Sequence, residues 1–231
     1  MALVNPLESR HKEMFSRMKP NMKIMQMRTD AAEFYHEQLA GSPAEDYLDE
    51  RGLLAGAEQF QLGYVSKPAP GHDDMFINML SIPYITPAGV VGFKFRRIQG
   101  EGKKYLAPAG QKVHIYNVYA LIDAIEEVLL VEGELDAIAA TINGHPAAAL
   151  GGTNAYRPVF ARCVDGVGKV LICTDNDKKE NGSNPGQELA KKLAEEIPNS
   201  VRVSLPYGED INSTILSHGA QFFTDLVKAT R

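Results

Sequence analysis

From residue 128 onward the chain repeats one unit: a short aliphatic run, a turn rich in glycine or acid, then a helical pattern. The runs fall at 128–131, 147–150, 170–174 and 201–205. Each is too short for a buried helix and carries no alternation, as expected of strands covered on both faces. Between them, Leu135, Ile138, Ala139 and Ile142 recur at helical spacing over 134–143, with Gly144 as the stop. A second helix is expected over 156–163. A third is capped by Asn184, with Pro185 at its first position and Leu189, Leu193 and Ile197 on one face. A final helical region runs toward 231. Alternating β and α elements predict an α/β domain, a parallel four-stranded sheet flanked by helices on both faces, over 126–231.

Residues 1–125 follow a different grammar and predict a smaller α+β subdomain. The first 28 residues are basic and Met-rich, with Pro20 interrupting any long helix; they fit a flexible arm, or a contact to nucleic acid or a partner. A helix is expected from Asp30, with Ala31, Phe34, Tyr35 and Leu39 on one face and Gly41 as its stop. Ser42 and Pro43 open a second, which reaches Gly52. The prolines and glycine of 66–74 mark a loop, and 76–97 reads as β-rich with a turn at Thr86-Pro87-Ala88-Gly89. Alternation over 92–97 sends Phe93 and Phe95 to one face and Lys94 and Arg96 to the other. Arg96 and Arg97 therefore cannot both face one groove.

Charge divides along the same line. Residues 1–125 hold 14 basic and 14 acidic residues, so the net −5 lies wholly in 126–231. A pI near 5.7 argues against coating DNA by bulk attraction. It leaves room for a local basic patch, and Lys94, Arg96, Arg97, Lys103 and Lys104 form one against Glu101 alone. A mean hydropathy of −0.21 with 44% hydrophobic residues suits a globular chain. No apolar run approaches the ~18 residues of a membrane span, and no signal-peptide core is present. Cys163 and Cys173 are too few for a disulfide framework or a four-cysteine zinc site, so a reduced, cytoplasmic protein without zinc is expected. The six histidines are scattered without ligand spacing.

Ligands of open parallel sheets bind beyond the carboxyl ends of the strands. The first strand is followed by Glu132-Gly133, with Asp136 one turn into the helix. The second is followed by Gly151-Gly152-Thr153, a loop that permits close backbone approach. The third leads into Asp175-Asn176-Asp177, and the fourth into Gly208-Glu209-Asp210. Taken singly, a D-x-D is usually a solvated loop, and Glu132 could be an acid favoured by a helix dipole. Recurring at three of four strand ends, the carboxylates form a cluster whose mutual repulsion calls for cations. Oxygen-only ligands favour Mg²⁺ or Mn²⁺, and two such ions activate an attacking oxygen and stabilise a leaving phosphate. Glu132, Asp136, Asp175, Asp177 and Asp210 are the candidate metal ligands.

The residues Val131-Glu132-Gly133-Glu134-Leu135-Asp136-Ala137, then Leu150-Gly151-Gly152-Thr153, then Asp175-Asn176-Asp177 resemble the TOPRIM domain of DnaG-type primases, topoisomerases and some nucleases. The first half narrows the choice. Ala32-Glu33-Phe34-Tyr35, the run Tyr47-Leu48-Asp49-Glu50-Arg51-Gly52-Leu53, Gly92-Phe93-Lys94-Phe95-Arg96 and Lys104-Tyr105-Leu106-Ala107-Pro108 resemble the catalytic core of a DnaG-type primase, over about 30–215. The resemblance departs at Asn212, where the family usually carries an aspartate, and at the absent Cys/His cluster of a zinc ribbon. Such a pared-down core is typical of phages and plasmids.

The resemblance implies a DNA primase, a nucleotidyltransferase that synthesises short RNA primers on single-stranded DNA from ribonucleoside triphosphates. It implies Glu132, Asp175 and Asp177 as catalytic residues, with Glu132 a general base or a metal-bridging ligand. Lys104 would sit close to the initiating nucleotide. Lys94, Arg96, Arg97 and Lys103, with Gly152 and Thr153, would meet template or nucleotide phosphates. A helicase or a separate zinc-ribbon subunit would be the natural partners. A metal-dependent nuclease and a non-catalytic nucleic-acid or replication-protein binding module remain the alternatives.

Overall fold

The computed structural model describes residues 22–177 and 182–230. Two four-stranded sheets organise it. The first is antiparallel, β1 (Gly63–Tyr64), β2 (Met79–Thr86), β3 (Gly89–Arg97) and β4 (Tyr105–Leu106) in sequential order. The helices α1 (Met22–His36) and α2 (Pro43–Glu50) precede it, and Ser42 accepts hydrogen bonds from the backbone of Ala44 and Glu45 to cap α2. The second sheet is parallel, in the order β6 (Ala147–Ala149), β5 (Glu127–Val131), β7 (Lys169–Cys173), β8 (Ser200–Arg202). Around it lie α3 (Val118–Ile122), α4 (Glu134–Ile142), a 3₁₀ helix (Pro158–Val164), α5 (Pro185–Glu196), α6 (Ile211–His218) and α7 (Ala220–Ala229). No helix among the described residues is long and apolar enough to cross a membrane.

Strand alternation sorts the core into layers. Leu129, Val131, Leu171 and Cys173 face a cluster built from α4, α6 and α7 that continues into the first half through Leu48, Leu62, Leu80 and Ile82. Val128, Leu130, Val170 and Ile172 face the other way, onto Val118 and Leu121 of α3, Phe160 and Val164 of the 3₁₀ helix, and Leu189 and Leu193 of α5. A third cluster seals α1 to the antiparallel sheet, with Tyr35, Phe76, Phe93 and Phe95 fully enclosed.

The helical stretch expected from Asp30 begins earlier, at Met22, so residues 22–28 are not an arm; residues 1–21 lie outside the described residues. Met25 supplies the reason. It is buried and reaches the β2–β3 turn at Gly89, while Arg28 donates to the carbonyl of Val91. The 156–163 helix is instead the 3₁₀ helix, anchored by buried Phe160 and Val164. The fourth strand ends at Arg202, although the amide of Val203 still donates to Ile172 O at 2.8 Å and Val203 and Leu205 stay buried. The final helical region breaks in two at Gly219.

Phe95 stacks on Phe76 with ring centroids 4.1 Å apart and meets Tyr35 edge-on at 5.9 Å. Emptying that site leaves a cavity beneath the strand that carries Lys94 and Arg96. Phe95→Ala is expected to cost about 3–5 kcal/mol, read as a lower urea midpoint at unchanged m-value. A loss below about 1 kcal/mol would contradict this packing.

Candidate active site

The strand order places a topological switch between β5 and its two neighbours, since the chain leaves β5 for β6 on one side and returns to β7 on the other. Glu132 follows β5 and Asp175 follows β7, so both emerge at that switch. An open cleft of about 690 Å³ lies there. Its acidic side holds Glu132, Asp136, Asp175 and Asp210. Its other walls hold Lys94, Arg96 and Tyr105 from the antiparallel sheet, Lys104 just before β4, and Gly151, Gly152 and Thr153 from the loop after β6.

Local structure fixes each acid. Asp136 is in the first turn of α4, buried, and its Oδ1 accepts from the backbone of Asn212 at 3.3 Å. Burial together with the charges of Asp210 and Asp175 pushes its carboxyl well above the usual range. Asp210 caps α6, accepting from Ser213 N and Ser213 Oγ, each at 2.6 Å. Asp175 is pushed up to about 7 by burial and by the charges of Glu132, Asp210 and Asp177, while Lys104 pulls the other way. Gly186, at the start of α5, packs directly on the Asp175 backbone: a Cβ there would stand 2.3 Å from Asp175 O.

The basic residues divide. Arg96 is buried between two tyrosines, its guanidinium 5.4 Å from the Tyr47 ring centroid and 5.1 Å from that of Tyr105. Lys104 is exposed at the cleft, 6.0 Å from the Tyr105 ring centroid. Arg97 and Lys103 are not among the lining residues; Arg97 Nε donates to Lys103 O at 3.3 Å. Asp177 is likewise exposed and outside the lining, near enough to raise Asp175 by its charge. Lys94 reaches the cleft, but its ammonium is spent on protein acceptors, Glu134 Oε1 at 2.8 Å, Glu134 Oε2 at 3.0 Å and Gly151 O at 2.8 Å. It stands in the wall of the cleft with its ammonium directed at these acceptors.

Sequence reasoning assigned no role to Arg51, Glu134, Asn154 or Arg157, which also line the cleft. Asn212, the departure from the family pattern, is buried. It accepts from Arg51 Nη1 at 3.0 Å and donates to Arg51 O at 2.9 Å, so α6 is tied to the end of α2. Glu134 sits inside the acidic motif itself; only the fold reveals its partner, forty residues away.

Known proteins share this fold. A Toprim domain model matches residues 127–221. The gene 57 protein of Mycobacterium phage D29 is 33% identical over 150 residues, which span 63% of this chain and 95% of that protein. The zinc-binding and RNA polymerase domains of Aquifex aeolicus primase superpose with a TM-score of 0.72 at 22% identity, over 92% of this chain and 62% of theirs. The chain belongs to the family of this phage protein, carries a Toprim domain and has the fold of a DnaG primase catalytic core. A DnaG catalytic domain solved with single-stranded DNA gives a TM-score of 0.69 at 21% identity, covering 97% of this chain and 83% of that one. The chain spans about three-fifths of the Aquifex structure's length.

Among the described residues, no three Asp, Glu, His or Cys side chains stand close enough to hold a cation by themselves. The donor set nevertheless fits Mg²⁺, which keeps much of its water and needs only one or two carboxylates alongside substrate phosphates. The raised carboxyl of Asp175 has a consequence for stability. From about pH 4 to about pH 7 the folded chain keeps a proton that the unfolded chain has lost, so this contribution declines as pH rises and is gone above about 7. The metal-free thermal midpoint is expected to fall across that window, less steeply in Asp175→Asn. Mg²⁺ or Mn²⁺ should raise it more at about pH 8 than at about pH 5.5, because the ion competes with the proton. Equal slopes in the two proteins, with no response to metal, would contradict the reading.

Proposed function

We propose that this chain is a primase catalytic core, which joins ribonucleoside triphosphates into short RNA primers on single-stranded DNA. One observation carries the reading: a carboxylate cluster at the switch point of the parallel sheet faces Arg96 of the antiparallel sheet and Lys104 at its edge across one cleft. An acidic side for hard cations opposite a basic side for phosphates is the charge arrangement that nucleotidyl transfer needs. The likeness to a DnaG catalytic domain bound to single-stranded DNA supports the same assignment.

Glu132, Asp136 and Asp175 would hold divalent ions, two Mg²⁺ or Mn²⁺, with Asp177 and Asp210 in support. When bound, the ions supply neutralisation of the triphosphate and a lowered pKa for the attacking hydroxyl. Glu132 is the candidate to accept the proton of that hydroxyl. Lys104 would meet the initiating nucleotide. Arg96, held rigid between Tyr47 and Tyr105, would meet a phosphate of nucleotide or template. The amides of Gly151 and Gly152 both donate to Glu132 O, at 3.1 and 2.8 Å, so that loop braces Glu132 and brings Thr153 to the cleft.

Incubating the full chain with single-stranded DNA, labelled ribonucleoside triphosphates and Mg²⁺ or Mn²⁺, alone and with a zinc-ribbon protein added, is expected to yield short RNA. Asp175→Ala should lower kcat by a factor on the order of 10² or more. Lys104→Ala should weaken DNA binding and reduce the slope of log affinity against log salt by about one. DNA shortened without any need for nucleotides would replace this reading with a nuclease. Neither product under any condition would leave a binding module.

A further inference from the structure

Lys94 and Glu134 form a buried ion pair 2.8 Å apart. Glu134 is fully enclosed, and the Lys94 side chain is 17% exposed. A carboxylate cannot be buried cheaply without donors, and Glu134 has three bonds: two from Lys94 and one from the hydroxyl of Tyr84. Those donors come from β3 and β2, whereas Glu134 opens α4 beside Glu132. The third proton of Lys94 goes to Gly151 O, in the loop whose amides hold the carbonyl of Glu132.

The space around this contact is fitted to it. Gly151 has φ +84°, and a Cβ there would meet Tyr84 Oη at 3.3 Å and Glu134 Oε1 at 3.5 Å. Lys94 Nζ also lies 4.5 Å from the Tyr105 ring centroid, with the aromatic covering part of the ammonium. One cation from the antiparallel sheet therefore grips both segments of the parallel-sheet domain that flank Glu132.

We propose that Lys94 and Glu134 act as a positioning clamp that holds the Glu132 loop and the Gly151-Gly152 loop in register with the basic wall, and that Lys94 carries no substrate phosphate. The clamp rests on the reading of Glu132 as a metal ligand. Partners that orient a ligand without touching the metal commonly change metal affinity by 10- to 100-fold.

The test uses the full chain and three variants, Lys94→Met, Glu134→Gln and the double variant, at a temperature where each is folded by near-UV circular dichroism. Titration with Mn²⁺ alone, followed by its electron paramagnetic resonance signal, reads the site without any need for turnover. Each single variant is expected to weaken Mn²⁺ binding by about 10- to 100-fold, and the double variant no further than the worse single, because the two residues act as one unit. In primer synthesis the loss should fall on kcat, with KM for nucleotides and the salt slope of DNA binding unchanged.

Three results would overturn the clamp. A lower thermal midpoint with unchanged Mn²⁺ affinity would make the pair structural only. A salt slope reduced by about one in Lys94→Met but not in Glu134→Gln would make Lys94 a phosphate ligand. Strictly additive losses in the double variant would separate the two residues. If the unsubstituted chain takes up no Mn²⁺, the metal-site reading itself fails, an outcome distinct from Mn²⁺ uptake that the variants leave untouched.

Discussion

Like charges held at the end of one sheet repel, and the whole arrangement around the cleft answers that repulsion. Asp136, Asp175 and Asp210 are placed by backbone features that cost little to form, namely a first helical turn, a strand end and a helix cap, so their proximity is imposed before any cation arrives. The strain appears in the protons: Asp175 and Asp136 both resist ionisation. Lys104 offsets part of the charge on Asp175 from the opposite wall. A divalent ion would offset the rest, which is the basis of the proposed metal site.

Function then depends on how the two sheets meet. A continuous apolar cluster runs from Leu39 to Val227 and welds the antiparallel sheet to one face of the parallel one. Polar ties cross the same seam, among them two built on Asn212 and on Lys94. Asn212 binds Arg51 from α6 to α2, and Lys94 binds Glu134 and Gly151 from β3 to the acidic edge. The basic and acidic halves of the cleft are thus fixed with respect to each other by packing and by hydrogen bonds, as the proposed alignment of phosphates with metal would require.

Much of this was legible in the sequence because it follows from local periodicity. The four parallel strands lie where the aliphatic runs are, and the alternation of 92–97 separated Phe93 and Phe95 from Lys94 and Arg96 correctly. The caps at Ser42 and Asn184 behave as their residue types dictate. What was not legible is set by contacts between distant segments. Met25 becomes core only because β3 lies beneath it. Lys94 reads as one more member of a basic patch until Glu134 is seen opposite. Asn212 looks like a lost metal ligand until Arg51 is seen beside it. Charge patterning gathered Arg97, Lys103 and Asp177 into the site, yet none lines the cleft, since their position relative to the walls depends on strand parity and loop path. The join near residue 125 is also less abrupt than the change of grammar suggests: Ile115, Val118 and Leu121 pack against the parallel sheet, and Tyr116 bridges Ala149.

The most direct test of the central claim is to locate the cation. Crystals of the full chain grown with millimolar Mn²⁺ and measured at the manganese absorption edge are expected to show an anomalous peak in the cleft, ligated by carboxylate oxygens of Glu132 and Asp175. A map with those two side chains directed apart and no manganese between them would contradict the account.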